Sequence, residues 1–169
     1  MKKILGYFYV IWFIFMLAGC AAKPAIDQLS EAVTGQEQAA QEALSGYLDA
    51  LLNGRYQDAA GLYGGSYEVL QGYNPEIDPE DRAALLEAAC TFNGFLCLEA
   101  RNIQLADQPS ATEFVYTVEF TNADGSLFVL GPCCGADETT MLPLSVFKFT
   151  VQQLEDGTFV VMDLPPYTP

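Results

Sequence analysis

Glu113-Phe114-Val115-Tyr116-Thr117-Val118-Glu119-Phe120 is the stretch that decides the fold. Phe114, Tyr116, Val118 and Phe120 occupy every second position and alternate with Glu113, Val115, Thr117 and Glu119. Side chains of a strand point to opposite faces in turn, so this period predicts a long strand with one strongly apolar face. Such a face has to be covered, and the residues around it supply both further strands and a layer of helices.

Downstream, Asn122-Ala123-Asp124-Gly125 turns the chain into a predicted strand over Ser126–Leu130. Leu144–Gln153 is the next strand, and Glu155-Asp156-Gly157 is a hairpin turn into Thr158–Leu164. Upstream, a first strand is predicted over Glu99–Leu105, and Pro165-Pro166 ends regular structure. Before the strands the period is that of helices. Ala40, Ala43, Leu44, Tyr47, Leu48, Leu51 and Leu52 form one continuous stripe from about Gln36, stopped by Asn53-Gly54. A short helix follows over about Tyr56 to Leu62. A third opens at Asp78-Pro79-Glu80-Asp81, with Asp78 as cap and acids in the positive first turn, and runs to about Thr91. Helices first, then an antiparallel meander, is an α+β arrangement.

This order resembles the nuclear transport factor 2-like superfamily, in which N-terminal helices pack into a curved antiparallel sheet of about four strands. The likeness covers about Gln36 to Leu164. It rests on element order, on the stripe ending Asn53-Gly54-Arg55-Tyr56 and on Asp58-Ala59-Ala60 after it. The chain departs from the pattern between Tyr67 and Asn74, where the superfamily has a strand pair. The resemblance implies a cone with a pocket at its open end, lined here by Tyr47, Tyr63, Tyr67, Phe114, Tyr116 and Phe147. Some members are isomerases, dehydratases or hydrolases that set an Asp or His base against such a cavity.

The first twenty residues have a different character. Lys2-Lys3 precede an apolar run from Ile4 to Leu17, followed by Leu17-Ala18-Gly19-Cys20. These are the positive, apolar and small-residue parts of an export signal. The last four resemble the lipobox of bacterial lipoproteins, which implies a diacylglycerol on the Cys20 thiol and cleavage before it. Two or more acyl chains, at about 0.8 kcal/mol per buried CH₂, make a stable anchor. The alternative is an uncleaved transmembrane helix, since Ile4 to Ala22 carries no charge. Either places the rest of the chain outside the cytoplasm, on the cell membrane or the outer membrane. The expected organisation is therefore a signal over 1–19, a lipidated tether over 20–35 and one α+β domain over 36–169. As a flexible coil the tether reaches about 20 Å, although Ile26, Leu29 and Val33 also suit a short helix lying on the domain.

Charge and composition exclude several functions. Cleavage would remove Lys2 and Lys3 and take the net charge from −15 to about −17. A field of that sign repels phosphate backbones, so no nucleic acid is expected as a partner. The 169 residues contain no histidine, which removes the usual general base and the commonest metal ligand. No residue pair is favoured as acid and base, and Asp49 and Asp58 are placed in solvent by their spacing. The acids at Asp78, Glu80 and Asp81, and at Asp137-Glu138, lack the alternating oxygen ligands of a calcium loop. Gly64-Gly65 is a turn, not a phosphate loop. No metal, cofactor or catalytic residue is assigned.

With Cys20 taken by lipid, Cys90, Cys97, Cys133 and Cys134 remain, an even number in an exported domain. Two disulfides are expected, and the preferred pairing ties Cys90 and Cys97 to the Gly131–Gly135 loop. The expectation for function is a lipid-anchored, non-enzymatic domain that binds a small apolar ligand or an envelope protein. The alternative is a small enzyme with a pocket carboxylate as base. A third possibility is a structural subunit of an envelope complex.

Overall fold

The alternating stretch forms the centre of a four-stranded antiparallel sheet of order β1-β2-β3-β4, over Glu99–Ser110, Glu113–Thr121, Phe147–Gln153 and Phe159–Val161. The computed structural model describes residues 25–132, 136–137 and 139–168, with side chains from Thr34 onward. In the register of β2 with β3, Phe114 faces Val151, Tyr116 faces Phe149 and Val118 faces Phe147. All six are buried, whereas Lys148 between them is exposed. β1 has register shifts after Ala100, Leu105 and Asp107. Each such irregularity bends and twists the strand.

Among the described residues four helices accompany the sheet, α1 over Ala25–Leu52, α2 over Tyr56–Leu62, α3 over Glu68–Tyr73 and α4 over Arg82–Thr91. The chain is thus α+β, with helices before strands as expected. The α1 stripe, Ala40, Leu44, Tyr47, Leu48 and Leu51, is buried against the sheet. At its end the amide of Arg55 bonds the carbonyl of Ala50, and that of Gly54 bonds Leu51, with Gly54 at φ +68°. This pair of bonds is the Schellman termination that Asn53-Gly54 announces.

Several boundaries differ from the sequence expectation. The backbone is helical from Ala25, so α1 begins before Gln36 and takes in the stretch over Ile26, Leu29 and Val33 that also suited a helix; residues 20–24, with Cys20, lie outside the described residues. The cap of α4 is Asp81 rather than Asp78: Asp81 Oδ1 accepts the Ala84 amide at 3.0 Å. Asp78 instead closes a local turn by accepting the Glu80 amide at 3.0 Å. Where the superfamily pattern has a strand pair, the chain forms α3. Ser126–Leu130 and the start of Leu144–Gln153 make only isolated bridges, Thr121 with Leu127 and Leu130 with Leu144.

The disulfide pairing also needs correction. Cys90 is bonded to Cys97, with Cα atoms 5.6 Å apart, a spacing a disulfide spans readily. The chain reverses directly after α4: the amides of Phe92 and Asn93 both bond the Ala88 carbonyl, and Phe95 bonds Ala89. That reversal returns Cys97 to the last helical turn, and the bridge engages both cysteines. Cys133 and Cys134 lie outside the described residues. No helix among the described residues is long and apolar enough to cross a membrane.

Candidate functional site

The six aromatic residues expected to line a cavity are all buried, from 0% exposed for Tyr47, Phe114 and Tyr116 to 9% for Tyr67 and Phe147. The structure divides them into two groups. Tyr47, Tyr63 and Tyr67 meet at one place, where α1 and α2 hand over to α3. Tyr47 and Tyr63 stack with centroids 5.8 Å apart, and Tyr67 meets Tyr63 edge-on at 5.0 Å. The other three belong to the sheet face. Phe114 packs on Phe159, Phe147 on Phe120 and Phe128, and the Tyr116 hydroxyl donates to the Glu37 carbonyl at 2.8 Å.

In the tyrosine cluster only one hydroxyl is paired among the described residues. Tyr63 donates to the Ser66 carbonyl at 3.0 Å, while the buried hydroxyls of Tyr47 and Tyr67 have no partner among the described residues. Burial, reinforced by the neighbouring tyrosines and the Asp163 carboxylate, raises Tyr47 well above the ordinary tyrosine range and pushes Tyr63 up to about 12. Burial also raises Tyr67, against the lowering effect of Arg82, whose guanidinium carbon lies 5.5 Å from the ring centroid. Tyr116 is pushed to about 12 by burial and then by Glu37. Asp163 is half-buried, and its Oδ2 accepts the Thr150 amide at 2.6 Å.

These shifts fix how stability depends on alkaline pH. Unfolded tyrosines titrate near 10. Between that value and about 12 the folded state retains protons that the unfolded chain loses, so stability falls as pH rises. It is fully present below pH ~10. Far-UV circular dichroism and the tyrosinate absorbance of the buried tyrosines are expected to change in one transition in that window. Full tyrosinate absorbance reached near pH ~10 with the dichroism unchanged would contradict the burial.

Several of the acids named from sequence serve local structure, and Glu138 lies outside the described residues. Exposed Asp49 and Asp58 both pair with Arg55, Asp58 at 3.0 Å. Asp137 Oδ1 accepts the amides of Thr139 and Thr140, both at 3.0 Å. Among the described residues no three His, Cys, Asp or Glu side chains are grouped to hold a metal ion. Gly64 runs beside β4, its amide bonding the Val161 carbonyl at 2.9 Å.

Two surface grooves lie elsewhere. One, of about 290 Å³, opens where Leu52 at the end of α1 meets Leu98, Thr121 and Asn122. The other, of about 240 Å³, lies between α3 and α4 and is lined by Asn74, Glu76, Ile77, Glu87 and Phe92, with Ala84 and Ala88 contributing from α4. Asn74 is buried and anchored there, its amide nitrogen donating to the Leu70 carbonyl at 2.7 Å and to Asn93 Oδ1 at 2.8 Å. Sequence reasoning does not find this groove. Its two carboxylates are eleven positions apart on different elements, and Phe92 sits beyond the last apolar position of its helix. No protein-family model, curated protein or solved structure matches the chain.

Proposed function

We propose that the chain is a lipid-anchored extracytoplasmic lipoprotein whose α+β domain, similar to the nuclear transport factor 2-like cones, binds a ligand or a partner protein without catalysis. The observation that carries the address is Leu17-Ala18-Gly19-Cys20 at the end of an uncharged apolar run. Binding is favoured over an acid–base mechanism by where the polar groups lie. The aromatic residues fill the interior, and no Asp or Glu among the described residues is buried. Asp163, the carboxylate that acts on Tyr47 and Tyr63, is engaged by the Thr150 amide. The surface grooves are then places for a ligand.

The test is the mass and the fractionation of the exported chain. The wild-type protein is expected to begin at Cys20, to carry acyl mass and to sediment with membranes. Cys20→Ser is expected to lack the acyl mass and to leave the membrane fraction. An intact Met1 with no acyl mass, together with unchanged retention of the variant, would assign residues 4–22 to an uncleaved span instead.

A further inference from the structure

The groove between α3 and α4 has a polar lining of one kind only. Glu76 and Glu87 are exposed carboxylates, and among the described residues neither pairs with a Lys or Arg. Asn74 is 5% exposed, and both of its side-chain donor contacts are spent on Leu70 and Asn93. Its Oδ1 accepts nothing among the described residues, which leaves an acceptor on a buried side chain that lines the groove. The remaining lining is Ile77, Ala84, Ala88 and the ring of Phe92, with no Ser, Thr, Lys or Arg to donate. A site that offers two negative charges, a spare amide oxygen, an aromatic ring and an aliphatic floor suits a cation on an apolar stem.

Size and exposure narrow the occupant further. The volume of about 240 Å³ is equivalent to about eight waters at ~30 Å³ each, enough for one long side chain. Phe92 is 85% exposed, and a small free amine in the groove would leave most of that ring in water. A side chain arriving on a protein surface would bring neighbouring atoms to cover it. We propose that this groove receives a lysine or arginine side chain of a partner protein, the ammonium or guanidinium meeting Glu76, Glu87 and Asn74 while its methylenes lie on Ile77 and Phe92. This deepens the binding reading above, and it can fail while lipid attachment at Cys20 stands.

The probe is the capped tripeptide acetyl-Ala-Lys-Ala-amide, titrated into the full chain in detergent while the methyl resonances of Ile77, Ala84 and Ala88 are followed. Saturable shifts of these methyls are expected, weakening with salt. The norleucine peptide is expected to bind about tenfold more weakly, and Glu76→Gln with Glu87→Gln to weaken the lysine peptide about tenfold, from two partly solvated charge contacts. Phe92→Ala is expected to weaken it about threefold. Glu76, Glu87 and Phe92 are exposed, so the variants should keep the wild-type dichroism. Unmoved methyls, equal binding of the norleucine peptide or variants indistinguishable from wild type would each overturn the site. Butylammonium chloride binding as tightly as the lysine peptide would overturn the assignment to a protein partner.

Discussion

Phe120→Ala is expected to destabilise the domain by about 3–5 kcal/mol, the range for removing a buried aromatic ring from a core that relaxes only in part. Phe120 is 0% exposed and is flanked by Phe147 and Phe149, with centroids 5.6 and 6.1 Å away. It sits on β2, opposite Ala100 of β1, so the neighbour across the ladder is too small to fill the space left. Typical domains have only about 5–15 kcal/mol of stability, so this one change removes a large share. The same substitution at Phe92, 85% exposed, is expected to stay within about 0.5 kcal/mol. Denaturant titration of the two variants, at unchanged slope, measures the contrast. Equal costs at the two positions would show that Phe120 does not bear on the core as described.

The same burial explains what the sequence makes legible. Phe114 to Phe120 can be read because a sheet face repeats every two residues, and the α1 stripe because a helix face repeats near every fourth. Each pattern is imposed by a continuous buried surface. The α3 segment is six residues with Leu70 as its buried anchor; a single buried position imposes no period, and Val69 and Tyr73 are exposed. The placement of Asp81 as cap over Asp78 turns on which acid captures a helical amide, and both acids precede the same run. The Cys90–Cys97 bridge depends on the backbone reversal between them, to which Phe92-Asn93-Gly94 is the only local clue.

The candidate site was less legible for a related reason. An aromatic residue that fills a core and one that lines a cavity have the same sequence pattern, and only packing separates them. Tyr47, Tyr63 and Tyr67 stand in the sequence as three of six aromatic residues suited to one lining, and the structure brings these three together by themselves, in ring contact deep in the fold. The groove at Phe92 carries the opposite signature. Its residues come from the end of α3, the following turn and one side of α4 from Ala84 to the cap at Phe92, so their nearness is a product of tertiary structure alone.

The docking of the C-terminal tail gives the other large expected effect. Gly94 has φ +81°, and a Cβ there would stand 2.3 Å from the Thr168 carbonyl oxygen. The Gly94 carbonyl in turn accepts the Thr168 amide at 3.0 Å, while Leu96 bonds the Pro166 carbonyl at 2.7 Å and Phe95 pairs with Tyr167. Gly94→Ala must therefore bear both the left-handed backbone, about 1–2 kcal/mol, and the displacement of a backbone oxygen that no rotamer change relieves. A total cost of about 3 kcal/mol is expected once the tail contacts loosen. Gly125 has φ +83° with nothing within 4 Å of its absent Cβ, so Gly125→Ala isolates the backbone contribution of about 1–2 kcal/mol. If the tail is docked as described, Gly94→Ala also speeds amide exchange at Leu96 and Thr168, and Gly125→Ala leaves both unchanged. Equal destabilisation by the two alanines, with Thr168 still protected, would mean that the tail yields at no cost and does not hold the α4–β1 corner in place.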